Sequence, residues 1–321
     1  MNTKVMGIDV GKRELHYSDI TGNVQGKVAN DGRGFKKIRR IISENSIELA
    51  VLEATGGYEQ KVLLDLAGNR IKVAIVEPTR VRNHARAAGQ LAKTDRIDAK
   101  VIAHFGFCHQ PRPFVLQSES KRQLRQLGKR RRQLIGNRVQ EKCRLEKSSD
   151  GFSTGSINRM IGFFDEELER IDALMDALIE SDRELLHRSG LLESCPSIGR
   201  GTARVILAEC PELGSMNRKQ IASLAGLAPM NRDSGDYQGS RYIQRGRKHL
   251  RNALYMVVVS GQRHNVYLKE RYERLRETKP GKVAIVACMR KLLTQLNAMI
   301  RDDTCWSLDK AQGDMAANAV I

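Results

Sequence analysis

Near its start the chain reads Lys4-Val5-Met6-Gly7-Ile8-Asp9-Val10-Gly11-Lys12, a short apolar run with one carboxylate set inside it. Such a run reads as a strand. An ionised carboxylate buried in it is costly unless a partner compensates for the lost hydration. Asp9 therefore calls for a cation, or else it caps a tight turn beside Gly11. In the first case the fold has to bring other charged groups to the end of this strand.

The next segments supply the rest of a sheet. Glu14 to Ile20, a Thr21-Gly22-Asn23 turn and Val24 to Ala29 join the first run in a three-strand antiparallel meander. Phe35, Ile38, Ile41 and Ile42 recur at helical spacing, and Ile47 to Ala54 is a second apolar run with one carboxylate, Glu53. Val62, Leu63 and Leu66 predict a helix ending near Gly68-Asn69. Ile71 to Val76 predicts a further strand, stopped by Pro78. Strand–helix alternation after a meander predicts a mixed sheet with helices on its faces. Residues 80–92 are rich in Arg, Ala and Gly and predict a mobile, basic, substrate-facing loop. Lys93-Thr94-Asp95-Arg96-Ile97-Asp98-Ala99-Lys100 then opens a helix with two acids three apart. Asp95 as N-cap and Asp98 as a first-turn residue account for that pattern. The same spacing also puts both carboxylates on one helix face, where they could meet one metal site.

Charge narrows the function. Lys and Arg outnumber Asp and Glu by 55 to 37 in 321 residues, a formal charge of +18 on a chain long enough for two or three domains. That balance favours a polyanion, nucleic acid first. A membrane partner is not expected, since no run of about 18 apolar residues stands out. No basic-then-apolar signal opens the chain, so a cytoplasmic location is expected. The six cysteines (108, 143, 195, 210, 288, 305) form no Cys-x-x-Cys pair, which speaks against zinc and against a disulfide framework.

Pro111 and Pro113 close the first domain. Residues 121–147 carry eleven Lys or Arg against two Glu around a sparse seam of Leu124, Leu127, Leu134 and Leu145. Like charge at this density repels itself without an anion, so Arg125, Lys129, Arg130, Arg131 and Arg132 are candidate nucleic-acid contacts. Ser148 to Ser156 reads as a break. Ile157, Ile161, Phe164, Leu168, Ile171, Met175, Leu178 and Leu185 then alternate spacings of three and four, with Asp182 filling the gap, between acidic faces. The middle of the chain is thus expected to be a coiled-coil hairpin with one basic and one acidic arm. It can pair within the chain or between chains, and a role in dimerisation is favoured.

Pro196-Ser197-Ile198-Gly199-Arg200-Gly201, between two helical patterns, reads either as a helix-hairpin-helix or as a Gly-capped junction. In the first reading Gly199 and Gly201 let backbone N–H groups approach a phosphate. A polar stretch follows in which Ser234 lies between Asp233 and Gly235. This is ordinary turn vocabulary, but Arg232, Arg241, Arg245, Arg247, Lys248 and Arg251 favour phosphate contact nearby. Helical patterns resume from Leu250, and the chain after residue 306 reads as a flexible tail.

Several pieces together resemble one family. They are Gly7-Ile8-Asp9-Val10, Glu53-Ala54-Thr55-Gly56, Lys93 to Ala99, the Pro-x-Ile-Gly turn at 196–199, Gly226-Leu227-Ala228-Pro229, Asp233-Ser234-Gly235 and Leu250-Arg251-x-x-Leu254-Tyr255-Met256. Their order is similar to that of insertion-sequence transposases that join a RuvC-like Asp-Glu-Asp-Asp domain to a serine-bearing transposase domain, relatives of pilin-gene invertases. The resemblance implies a ribonuclease-H-like (RuvC-like) α/β domain over 1–115, a helical coiled-coil arm over 116–190, a mainly helical serine-bearing domain over 191–306 and a tail over 307–321. It implies a DNA recombinase in which Asp9, Glu53, Asp95 and Asp98 bind Mg²⁺ and Ser234 attacks DNA phosphorus to give a phosphoserine. A noncoding bridge RNA would pair with element ends and target DNA. Homodimers would join as tetramers, with acids of one protomer meeting the serine of another. The residues alone also allow a Holliday-junction-resolvase-like nuclease with water as nucleophile, an actin-like sugar kinase on the Gly7-to-Lys12 loop, or a nucleic-acid-binding protein with a degenerate site.

Overall fold

In the computed structural model, which describes residues 4–90, 94–231, 233–235, 237, 239 and 241–308, the chain divides into two compact units, Met1–Gln117 and Ser118–Ile321. The first holds β1 (Val5–Val10), β2 (Glu14–Asp19), β3 (Gln25–Ala29), α1 (Gly32–Glu44), β4 (Leu49–Glu53), α2 (Gln60–Gly68), β5 (Val73–Val76), α3 (Pro78–Ala87) and α4 (Asp95–His109). The five strands form one mixed sheet of order β3-β2-β1-β4-β5. β1 is central, antiparallel to β2 and parallel to β4, and β5 continues parallel to β4.

Strand alternation sorts the first unit into two cores. Met6, Ile8, Ala50 and Leu52 pack with Phe35 and Ile38 of α1 and Val62, Leu63 and Leu66 of α2. On the other face Val5 and Val51 pack with Val81 of α3 and with Ile102 and Phe105 of α4. By that alternation Gly7 and Asp9 lie on the α4 face. A Cβ on Gly7 would fall 2.1 Å from the Ala99 carbonyl oxygen and 2.3 Å from the Ala103 amide nitrogen, so α4 rests directly on the β1 backbone. A Cβ on Gly106 would in turn fall within 2.8 Å of methyl groups of Val5 and Val51. Residues 106, 103 and 99 thus pass residues 5 and 7 in sequence. α4 runs antiparallel to β1, and its N-terminus lies at the carboxyl end of that strand.

The expected loop over 80–92 is corrected. Pro78 stands at the start of α3, where its fixed φ suits a first helical turn, and Val81 and Ala85, four apart, are buried. Two apolar anchors over ten residues were too few to register as a periodic pattern. Residues 91–93 lie outside the described residues.

The second unit is helical: α5 (Glu119–Leu145), α6 (Gly151–Ser181), α7 (Arg183–Glu193), α8 (Arg200–Glu209), α9 (Arg218–Leu224), α10 (Lys248–His264), α11 (Val266–Arg276) and α12 (Gly281–Asp302). α5 and α6 pack together within the chain. Leu124 and Leu134 share a core with Phe164, Leu168, Ile171 and Met175, and Arg131–Asp172 and Arg138–Asp165 join the basic arm to the acidic one. These half-exposed pairs contribute at most about 1 kcal/mol each, so the apolar seam dominates. The break expected over 148–156 is shorter than its composition suggests. Asp150 caps α6 by accepting the Ser153 N–H, and helix resumes at Gly151. Asp182 does not continue the heptad but caps α7, accepting from the Glu184 and Leu185 amides. After Met175 the buried position is Ile179 rather than Leu178, the drift of a 3.6-residue turn against a seven-residue repeat.

That core continues without interruption through α7, α8, α10 and α12, so the hairpin and the C-terminal helices are packed as one body. α12 is the one described helix long and apolar enough to cross a membrane, although no such run stood out in the sequence. Most of it is buried in this core. Beyond α12, Trp306 stacks edge-on against Tyr267, and the expected tail lies outside the described residues after Leu308.

The tight seat of α4 is testable. Gly7→Ala should lower the unfolding free energy by at least about 1–3 kcal/mol in urea titration, the usual cost of overpacking. Gly136, mid-α5 with open space around it, is the control. Gly136→Ala should stabilise by about 0.5–1 kcal/mol.

Candidate active site

Four acids stand out in the sequence, and the first unit brings them to one end of the sheet. Ile8 pairs with Leu52 in the parallel β1–β4 register, so Asp9 and Glu53 are the next residues on adjacent strands, both at carboxyl ends. Asp95 and Asp98 occupy the first turn of α4, whose N-terminus lies over that end. Thr94, not Asp95, is the N-cap, its hydroxyl accepting the Ile97 N–H at 3.3 Å. The two aspartates therefore belong to the first turn itself, where the helix dipole favours negative charge.

One residue at this end was missed in the sequence. His16 stands directly opposite Asp9 in the β1–β2 register, and its Nε2 lies 3.5 Å from Asp95 Oδ2 and 3.6 Å from Glu14 Oε2. It links α4 to the hairpin, and the expected meander register was the signal that could have found it. Glu59 was missed as well. It is buried, and its carboxylate accepts from the Thr55 amide and hydroxyl and the Gly57 amide at 2.8–3.1 Å, shaping the loop that follows Glu53. Burial pushes its carboxyl up, but hydrogen bonds from Gln60, its own backbone, Gly57 and Thr55 outweigh that and hold it below the ordinary 4.5. Its stabilising contribution is complete above that value and fades as pH falls through the lowered one.

The donors at this end are carboxylate oxygens on a rigid strand pair and a helix start. Hard oxygen donors of this number suit a hard divalent cation better than a soft one.

In the second unit Ser234 opens a tight turn that Tyr237 closes. Its amide donates to the Tyr237 carbonyl at 3.1 Å, the reverse bond is 3.0 Å, and Gly235 takes φ +54°. A flanking bridge pairs Met230 with Tyr242. Ser234 is exposed. Asp233, the acid that precedes it, accepts from Arg241 at 2.5 Å and from the Gly239 amide at 3.2 Å. The hydrogen bond from Arg241 holds the Asp233 carboxyl below its ordinary range. A carboxylate so engaged is a weak base toward the neighbouring hydroxyl.

The basic residues divide into two groups. Arg125, Lys129, Arg130, Arg245 and Lys248 are exposed. Arg131 is bound to Asp172, Arg132 to Glu209, Arg241 to Asp233, and Arg247 to both oxygens of Glu212 and the Glu209 carbonyl. Arg251 donates to the Ala225 and Arg245 carbonyls, knitting the turn before α10. Each of these five, expected at phosphates, has an acceptor within the chain. Arg232 lies outside the described residues. Gly199 is the N-cap of α8 and Gly201 lies in its first turn. Arg200 beside them is already paired with Asp176 and Glu180 of α6.

Sequence comparison agrees with this layout. A transposase profile of the IS110 type with the Asp-Glu-Asp-Asp signature matches residues 6–152, and the profile "Transposase IS116/IS110/IS902 family" matches residues 189–273. Pilin gene-inverting proteins of Moraxella bovis and Moraxella lacunata are each 30% identical over 316 residues, covering 94% of this chain and 97% of theirs. The chain belongs to the IS110/IS116 transposase family. An IS116 insertion-element protein of Streptomyces clavuligerus is 32% identical over 143 residues, 40% of this chain and 35% of its own. As a transposase of this family the protein is a DNA-recombining enzyme, and DNA is its substrate. The first profile spans all four acids and the second spans the Ser234 turn.

The internal role of Arg247 is testable apart from activity. Arg247→Ala should cost about 1–3 kcal/mol in thermal or urea unfolding, since Glu212 is left half-buried without its partner. Lys248→Ala, at an exposed neighbour, should stay within about 0.5 kcal/mol of the parent.

Proposed function

We propose that this transposase cuts and rejoins DNA with Mg²⁺ held by Asp9, Glu53, Asp95 and Asp98 and with Ser234 as nucleophile, guided by a noncoding RNA of its element. The carrying observation is the convergence of the four acids at one end of the sheet, brought about by the seat of α4 on β1. A meander continued by parallel strands, with β1 beside β4, supports reading the first unit as ribonuclease-H-like, of the RuvC type.

When bound, Mg²⁺ supplies charge neutralisation at the phosphate and at the leaving oxygen. The chain's own groups do the rest. The Ser234 oxygen forms a bond to phosphorus as a deoxyribose oxygen leaves. The serine proton passes to an acceptor beyond its own turn, because Asp233 is engaged by Arg241. Rejoining reverses the step: a deoxyribose hydroxyl attacks the phosphoserine and Ser234 takes back a proton. Arg125, Lys129 and Arg130 on α5 and Arg245 and Lys248 at the start of α10 are exposed for phosphate contact with DNA or the guide RNA. We assign the assembly to dimers that pair as tetramers, with acids and serine contributed by different protomers. Phe152, Met160, Phe163 and Leu174 of α6 stay exposed and support a partner on that arm.

In a strand-transfer assay with guide RNA, element-end DNA and Mg²⁺, Asp9→Asn, Glu53→Gln, Asp95→Asn and Asp98→Asn should each lose on the order of 10³-fold or more. Nucleic-acid affinity should stay near the parent's. Ser234→Ala should lose the covalent protein–DNA adduct seen on denaturing gels. Cleavage by Ser234→Ala at the parental rate would instead mean that water attacks. Changing Arg125, Lys129 and Arg130 to Gln should reduce the slope of log affinity against log salt by about 0.9 for each phosphate no longer neutralised.

A further inference from the structure

On the α3–α4 side of the first unit, three imidazoles and a thiol meet at a place the proposed chemistry does not use. His84 comes from α3, and His104, Cys108 and His109 come from α4. One ligand atom each from His84, His104 and Cys108 lies within 4.8 Å of the others. His84 Nε2 is 2.8 Å from His104 Nδ1, and Cys108 Sγ is 3.9 Å from that same nitrogen. On its other side His84 Nδ1 is 3.2 Å from His109 Nε2.

We propose that His84 Nε2, His104 Nδ1 and Cys108 Sγ form a metal site for a borderline cation, Zn²⁺, with His109 as the outer partner of His84 and water in the fourth position. Nitrogen and sulfur donors select such an ion over Mg²⁺. Tetrahedral Zn²⁺ with bonds near 2.0–2.1 Å to nitrogen and 2.3 Å to sulfur requires N···N and N···S edges of about 3.3–3.6 Å. The N···N edge of 2.8 Å is shorter and the N···S edge of 3.9 Å longer than those values, so the side chains turn to seat the ion. One tautomer of His84 suits this. If His84 Nδ1–H donates to His109, Nε2 carries the lone pair for the metal, the arrangement in which an outer hydrogen bond orients a ligating histidine. Cys108 would bind as thiolate, its proton going to solvent.

The surroundings admit an ion. His104 and Cys108 are exposed, and a cavity lined by Ile20, Ala85, Val101 and His104 opens beside them. The nearby cations Arg80 and Lys100 are engaged: Arg80 lies over the Phe105 ring at 5.2 Å, and Lys100 Nζ donates to the Thr21 carbonyl at 3.3 Å. The site would clip α3 to α4 across the segment that leads into Asp95 and Asp98, restricting a loop of about twenty residues. Its role is therefore structural support for the helix that carries two of the four acids.

The test uses the full chain, purified without a histidine tag. Elemental analysis after dialysis should find one Zn²⁺ per chain, and Co²⁺ exchange should give the visible bands of a tetrahedral ion and a thiolate charge-transfer band. Cys108→Ser should lose the charge-transfer band, and His104→Gln should lose the metal. His109→Gln, which spares the ligands, should weaken Zn²⁺ binding about 10–100-fold. Asp98→Asn should retain the Zn²⁺, separating this site from the acids. A strong chelator should lower the melting temperature of the parent but not of His104→Gln. Absence of both retained Zn²⁺ and Co²⁺ bands in the folded parent would overturn the proposal. So would metal content in Cys108→Ser and His104→Gln identical to the parent's.

Discussion

The first unit depends on a helix lying on a bare strand backbone. Because Gly7 has no side chain, Ala99 and Ala103 of α4 approach β1 to a distance that any Cβ would block. Interiors pack without slack, so this seat fixes the axial position of α4 as well as its distance. The N-terminus of α4 then has one place to go, the carboxyl end of β1, and Asp95 and Asp98 arrive where Asp9 and Glu53 already stand. Four like charges gathered at one edge oppose folding among themselves. Close helix–strand packing and the helix dipole offset part of that repulsion.

Positive charge in the second unit is handled in the opposite way. The net +18 already subtracts every acid, so internal pairing does not diminish it but decides which cations stay open to an anion. Arg131, Arg204 and Arg200 meet the acids of α6, and Arg247 closes on Glu212. The basic helix and the acidic helix thus neutralise each other along their shared face. The exposed remainder, Arg125, Lys129 and Arg130 among it, is a narrower and more directional set than the composition implied.

Much of this was legible in the sequence, for physical reasons that differ by element. The meander was legible because period-two alternation and Gly- or Asn-bearing turns are local signals, and the four acids because each sits in a patterned segment. α3 was not, because ten residues anchored by Val81 and Ala85 carry too little periodicity beside basic and polar neighbours. The fate of Asp182 was not legible either. As a core-register filler and as an N-cap it has the same local sequence, and only the turn into α7 decides. The internal pairing of Arg132 and Arg247 joins residues far apart in the chain, which no spacing rule reveals. The histidine–cysteine cluster was hidden because zinc was sought in cysteine pairs. His104-x-x-x-Cys108 is a one-turn ligand pair on a helix, and its third member comes from α3.

Two donor sets thus share one helix, carboxylate oxygens at the start of α4 and imidazole nitrogens with a thiol toward its end. We propose that α4 delivers Asp95 and Asp98 to Asp9 and Glu53 as a single hard-cation site. A crystal of the full chain grown with Mn²⁺ and measured for its anomalous signal tests this most directly. A peak within coordination distance of carboxylates from both β1 and α4 is expected. A peak bound by only one of these elements, or none at this end of the sheet, would contradict it.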